Sequence, residues 1–168
     1  ARPVARDLWF NTRTSAATRV YVPVADARDV RVEGEDDAVP AWRIEGGMFS
    51  FQPALPDRPI HRGKVLLQPS AGWMAGFASG QVLVIRFDHQ PRAVIHPEQG
   101  QVELYLDHAG DLQAGLLEME VHAPFRTLAP GEAMQAQERW TVLPYDGPDT
   151  QPAQLAFLCE RLALCVAD

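Results

Sequence analysis

Residues Gly115 to Trp140 read GLLEMEVHAPFRTLAPGEAMQAQERW. Within them Glu118, Glu120 and His122 alternate with Leu117, Met119 and Val121. Successive side chains of an extended strand point to opposite faces, so the alternation predicts a β-strand with an acidic row and an apolar row. The polar row, two carboxylates and an imidazole, runs over about 13 Å at the rise of a strand. Ionisable groups in such a line are costly in a core unless they are paired. The pattern is that of a sheet lining a polar cleft.

Similar runs flank this one. Val102 to Asp107 alternates Val, Leu and Leu against Glu103, Tyr105 and Asp107, as a half-buried strand does. Trp73 to Ala78 and Gln81 to Asp88 form a hairpin around Ser79-Gly80. In its second strand Val82, Val84 and Arg86 face one way, and Leu83, Ile85 and Phe87 the other. Further strands are expected at Arg19 to Val24, Val30 to Val32, Ala41 to Ile44, Gly47 to Phe51 and Lys64 to Gln68. An acidic turn at Glu33 to Asp37 and a loop at Pro53 to Pro59 interrupt them. The longest candidates, Gln113 to His122 and Ala133 to Leu143, are joined through the Pro130-Gly131 turn. Many short strands at this spacing, with turn residues between them, predict an all-β sandwich or barrel.

One segment departs from the alternation. Leu155, Leu158, Cys159, Leu162 and Cys165/Val166 recur at helical intervals, which predicts one amphipathic C-terminal helix over Pro152 to Val166. Asp149 or Thr150 supplies its N-cap, and Pro152 sits in the first turn. Cys159 and Cys165 would then lie about 240° apart around the helix, unable to bridge. Two free thiols suit a reducing compartment, so a cytoplasmic location is expected.

The 168 residues suit one domain with a real core. A net charge of −7 argues against a nucleic-acid partner, which would need a basic face. Lys64 is the sole lysine among 15 basic residues. No apolar run approaches the ~20 residues of a membrane span, so no membrane partner is expected. There is no G-x-S-x-G elbow, C-x-x-C pair or phosphate loop, and no cofactor is expected.

Leu117-Glu118-Met119-Glu120, Ala123-Pro124 and Leu128-Ala129-Pro130-Gly131-Glu132 together resemble a late strand and turn of the galactose mutarotase-like (aldose 1-epimerase) superfamily. There an L-E-x-Q segment is followed by a proline and an L-x-P-G-E turn. The segment is more similar still to an uncharacterised mutarotase-like family that reads E-x-E, G-P, L-x-P-G-E and then a tryptophan, here Trp140. Weaker similarity runs through Lys64, Gly72-Trp73 and Gly80 to Leu83, back to Asp7 to Thr12.

The resemblance implies a mutarotase-like sandwich and a carbohydrate-binding or aldose 1-epimerase-type isomerase function. Glu118 takes the position of the base that removes the anomeric hydroxyl proton. Such a reaction also needs an acid at the ring oxygen. The family's acid histidine lies in an N-H-x-Y-F-N-L segment, whose nearest counterpart, Trp9-Phe10-Asn11-Thr12, has no histidine. Glu120 stands where the family has glutamine. Like charges raise each other's proton affinity, so Glu118 and Glu120 could divide into acid and base. His96 falls where the family places a sugar-pocket residue.

The expected site is therefore Glu118 as base, with Glu120, His122, His96 and Arg86 binding substrate. Arg86 and Asp88 could bond sugar hydroxyls, and Trp73 and Trp140 could stack on a pyranose, although core packing suits both tryptophans better. Glu118-x-Glu120-x-His122 also has donors for a metal, but side chains two apart on a strand diverge, and no metal is expected. The chain is shorter than a full mutarotase sandwich and reads as the C-terminal part of a longer protein. Its expected partners are a sugar or sugar phosphate, and a second copy covering an unpaired edge. The alternative is a non-catalytic sandwich for protein contact or domain assembly.

Overall fold

The apolar rows of the alternating segments are what two large sheets bury against each other. The computed structural model describes residues 2–34, 39, 41–51, 61–108 and 114–165. In chain order the strands are β1 (Val4–Arg6), β2 (Trp9–Ser15), β3 (Arg19–Pro23), β4 (Val30–Glu33), β5 (Trp42–Glu45), β6 (Met48–Phe51) and β7 (His61–Leu67). There follow β8 (Trp73–Ala78), β9 (Gln81–Phe87), β10 (Val102–His108), β11 (Leu116–His122), β12 (Arg126–Leu128), β13 (Glu138–Pro144) and the helix α1 (Gln151–Leu162). One sheet has the order β2-β11-β10-β7-β4 and the other β13-β9-β8-β3-β6-β5, while β1 and β12 form a ribbon of their own. The paired strands are antiparallel. This is the expected all-β sandwich with one C-terminal helix.

Leu117, Met119 and Val121 of β11, Val102, Leu104 and Leu106 of β10, and Val65 and Leu67 of β7 form one wall of the core. Val20, Val22, Phe49, Phe51, Met74 and Ile85 of the six-stranded sheet form the other. Fully burying one such side chain is worth about 1.5–3 kcal/mol. The six-stranded sheet is covered on its second face as well. There Tyr21, Ala75, Phe77, Val82 and Val84 pack with Tyr145 and Leu158 beneath α1. The two-sided apolar content of β9 follows from this, because its alternate residues serve two cores. Tyr21 donates its hydroxyl to Gln154 Oε1 at 2.7 Å and fixes α1 to β3.

The five-stranded sheet consequently turns a polar face outward, away from the helix. β2 and β11 continue past a bend into β1 and β12, with Ala123 N–H donating to the Leu8 carbonyl at 2.9 Å across the bend.

Two expectations need correction. α1 ends at Leu162, and Ala163 is left-handed at φ 54°. The Ala163 N–H donates back to the Cys159 carbonyl, the 5→1 bond of an αL cap, and the Leu164 N–H donates to the Leu158 carbonyl. This folds Cys165 back onto Cys159, at a Cα separation of 4.4 Å, and the two are joined as a disulfide. The 240° separation assumed an unbroken helix to residue 166. The pair therefore gives no support to a reducing compartment.

The second correction concerns the ends of strands. β1, β2 and β12 were not foreseen as strands, and β13 begins at Glu138 rather than Ala133. The Pro53 to Pro59 loop, most of the Glu33 to Asp37 turn, Gln113 and Val166 lie outside the described residues. Among the described residues, no helix is long and apolar enough to cross a membrane.

Candidate functional site

Register brings the outward-facing residues together. Glu120 of β11 stands opposite Glu103 of β10 on one side and Asn11 of β2 on the other. Glu118 stands opposite Tyr105 and Arg13, and Tyr105 in turn opposite Lys64 of β7. His122 stands opposite Trp9. Residues 100 or more apart in the chain thus share one face.

At the centre is an ionic cluster. Lys64 Nζ lies 2.6 Å from Glu103 Oε2 and 3.0 Å from Glu120 Oε2. His122 Nε2 lies 3.6 Å from Glu103 Oε2, and His122 Nδ1 is 2.9 Å from Asp7 Oδ2. Asn11 Nδ2 donates to Glu120 Oε1 at 3.1 Å, and the Gly100 N–H donates to Glu103 Oε1 at 3.0 Å. Glu103, Glu120 and His122 are only 2%, 1% and 4% exposed, so their charges depend on these partners rather than on water.

Gly100 belongs to the connection between β9 and β10, which ties down over this end of the sheet. Arg31 of β4 donates to the Glu98 carbonyl, and Phe125 N–H donates to the Val94 carbonyl at 2.8 Å. A Cβ at position 100 would stand 2.5 Å from Leu67 N and 2.7 Å from the carbonyl oxygens of Leu67 and Val102. Only glycine lets that backbone come close enough to deliver its N–H to Glu103.

The surroundings split the titrations of the two glutamates. Burial would raise Glu103, but hydrogen bonds and charge from His122 and Lys64 prevail and pull it down to about 2. Glu120 is raised, first by burial and then by the charges of Glu103 and Glu118, which Lys64 only partly offsets. Burial opposes the charged form of His122, yet Glu103 and Asp7 hold its value above the ordinary one. Lys64 is likewise held above its ordinary value by the two glutamates, against the effect of burial.

Glu118, the expected base, lies at the margin of the cluster, where Arg13 Nε donates to its Oε1 at 3.0 Å. Its side chain is 12% exposed. Trp9 is 55% exposed and stacks on His122, with centroids 6.5 Å apart. Beside His122 lies a recess of about 130 Å³, also lined by Phe10, Phe87, Gln101 and Gln137.

Of the five expected residues, Glu118, Glu120 and His122 share this face. His96 lies in the connection that ties over it, edge-on to Phe125 with its Nδ1 accepting from Glu98 N–H at 3.3 Å. Arg86 is apart. It faces the helix layer and donates to the Leu162 carbonyl at 3.2 Å. Trp73 is buried in the helix-side core and Trp140 is exposed on β13, so neither joins the site. Asp7, Asn11, Lys64 and Glu103 were not singled out for the site. Only the alternation of Val102 to Asp107, which already put Glu103 on a polar face, could have pointed to one of them.

No curated protein and no solved structure matches this chain. One family model does, over residues 1–143, a span that takes in the whole ionic cluster and stops before α1. The chain belongs to the family described as Domain of unknown function (DUF4380).

Proposed function

We propose that the outer face of the five-stranded sheet is a carbohydrate-binding surface of the kind an aldose 1-epimerase-type isomerase uses. One observation carries this proposal: Glu118, Glu120 and His122 stand in line on a face that also gathers Glu103, Lys64, Asn11 and an exposed tryptophan. Carboxylates, an amide and a guanidinium supply the acceptors and donors that sugar hydroxyls need. Trp9 supplies the flat apolar platform on which a pyranose stacks.

Mutarotation needs a base at O1 and an acid at the ring oxygen, both within reach of one ring. Glu118 is the glutamate nearest solvent and serves as base or anchor at the margin. Glu120 and His122, whose proton affinities are both raised, stand two residues apart and form the second acid–base pair of the face. The ligand is a sugar or sugar phosphate, with Arg13 as the cation at the rim for a phosphate.

The test is an NMR titration of the full chain with galactose, glucose and their 6-phosphates, alongside polarimetry of anomer interconversion. Binding should shift the Trp9 indole resonance and be lost in Trp9→Ala. Glu118→Gln should lower any mutarotation rate by a factor of about 100 or more, the scale of general-base catalysis. No shift with any of these sugars would overturn the proposal.

A different observation favours a non-catalytic reading. Trp140 and Val142 are each 57% exposed on β13, which among the described residues has a neighbouring strand on one side only. An open edge strand with exposed apolar side chains suits pairing with a second copy. Light scattering should then report a dimer that Trp140→Lys dissociates. A monomer at all concentrations would remove this reading.

A further inference from the structure

The glutamates and histidine of the cluster are oriented in a way that acid–base chemistry does not require. On each of them one polar atom is held from behind. Glu103 Oε1 accepts from Gly100 N–H, Glu120 Oε1 accepts from Asn11 Nδ2, and His122 Nδ1 donates to Asp7 Oδ2. Glu103, Glu120 and His122 each turn a remaining donor atom toward one another, all within 4.8 Å.

Of those inward atoms, His122 Nε2 is buried without a hydrogen-bond partner among the described residues, while Glu120 Oε2 meets the Lys64 ammonium at 3.0 Å. Leaving such a buried polar atom without a partner is costly. Lys64 Nζ is the positive charge facing the two carboxylates, and its side chain is 31% exposed, so it has a route outward.

We propose that Glu103 Oε2, Glu120 Oε2 and His122 Nε2 form a binding site for a divalent transition-metal ion, with Lys64 as the ammonium that the metal displaces. Two carboxylate oxygens and an imidazole suit Mn²⁺, Fe²⁺ or Zn²⁺. Asp7 on Nδ1 supplies the carboxylate–histidine arrangement that fixes the ring with Nε2 toward the ion. Asn11 and Gly100 hold the two carboxylates in the same manner. Three protein ligands leave positions for water or for hydroxyl oxygens of a ligand. The proposal goes beyond the carbohydrate reading and does not depend on it.

The test is a Mn²⁺ titration of the chelator-stripped full chain followed by electron paramagnetic resonance, with Zn²⁺ as competitor. The expected result is one saturable site per chain that Zn²⁺ displaces. His122→Gln should weaken Mn²⁺ binding by a factor of about 100, and Asp7→Asn by about 10–100, the usual range for a group behind a metal ligand. Lys64→Met should tighten it by about 10-fold or more. Absence of a saturable site in the wild-type chain at millimolar Mn²⁺ and Zn²⁺ would overturn the proposal, and so would binding unchanged in Asp7→Asn. Because the wild-type titration and Asp7→Asn carry the decision, a folding failure of Lys64→Met or His122→Gln leaves it standing.

Discussion

Asp7 Oδ2 lies 2.9 Å from His122 Nδ1, although the two residues are 115 apart in the chain. The contact is set by the bend at which β2 and β11 pass into β1 and β12, since Asp7 just precedes β2 and His122 ends β11. Asp7 and Glu103 together raise the proton affinity of a histidine that burial alone would depress. A folded-state value above the ordinary 6.5 means that this contribution to stability is complete below 6.5 and is lost as pH rises through the folded value. Asp7→Asn should therefore lower the His122 titration midpoint seen by NMR. It should also flatten the decline of the urea midpoint on the alkaline side of 6.5. An unchanged His122 midpoint would show that the carboxylate does not act on the ring.

Glu103 and Glu120 face each other across β10 and β11 but should answer differently to the same substitution. The folded protein favours the charged form of Glu103 and disfavours that of Glu120. Glu103→Gln removes the charge on which both Lys64 and His122 depend, and should cost about 3 kcal/mol, the low end for breaking a buried pair. Glu120→Gln keeps an acceptor for Asn11 and relieves repulsion from Glu103 and Glu118, so it should cost less than half as much. The contribution of Glu103 is present above 4.5 and is lost as pH falls toward about 2. Glu103→Gln should then unfold with a shallower acid dependence than the wild type. Urea melts at pH 7 and pH 3 measure both effects, and equal costs for the two variants would contradict the split.

Gly100→Ala tests how closely the β9–β10 connection must approach the sheet. The added methyl would meet the backbone of Leu67 and Val102, which cannot rotate away. Relief requires the connection to lift, which withdraws the N–H from Glu103 and leaves a buried carboxylate oxygen without its donor. Overpacking of this kind costs about 1–3 kcal/mol. The loss should appear as a lower urea midpoint, together with faster amide exchange at residue 100. A variant as stable as the wild type would show that the contact with Leu67 is slack.

The parts of the fold legible in the sequence are those governed by local alternation. Trp73–Ala78 and Gln81–Phe87 carry apolar residues at most positions around a Ser79-Gly80 turn, and both strands stand where expected. β2 was obscure because Trp9–Ser15 has no clean period: its inward row sets Thr12 and Thr14 beside Phe10, and its outward row sets Trp9 beside Asn11 and Arg13. The Glu118-Glu120-His122 line was legible for the reason that β11 was. Its partners were not, because Asn11, Lys64 and Glu103 reach it only through the register of β2, β7 and β10, which no local pattern encodes. Divergence of side chains along a single strand likewise does not decide which donor atoms meet, because those of Glu103, Glu120 and His122 come together across strands. Arg86 was misassigned to the site because alternation fixes which residues share a strand face, not which layer that face meets.

The bridge between Cys159 and Cys165 offers a last test, on the side of the molecule opposite the cluster. It closes a loop of a few residues, for which chain entropy gives about 2 kcal/mol at most. In a domain of this size each kcal/mol moves the thermal midpoint by about 2–4 °C, so reduction should lower it by several degrees. Much of the effect should be local, because the bridge holds the last turn of α1 in the reversed conformation at Ala163, while Leu158 is anchored in the helix-side core regardless. Cys165→Ser should therefore reproduce the loss seen on adding reductant, and reductant should then do nothing further. His122 should titrate identically in both forms, since the six-stranded sheet separates the helix from the ionic cluster. A thermal midpoint indifferent to reductant would mean that the two sulfurs are not joined in the protein in solution.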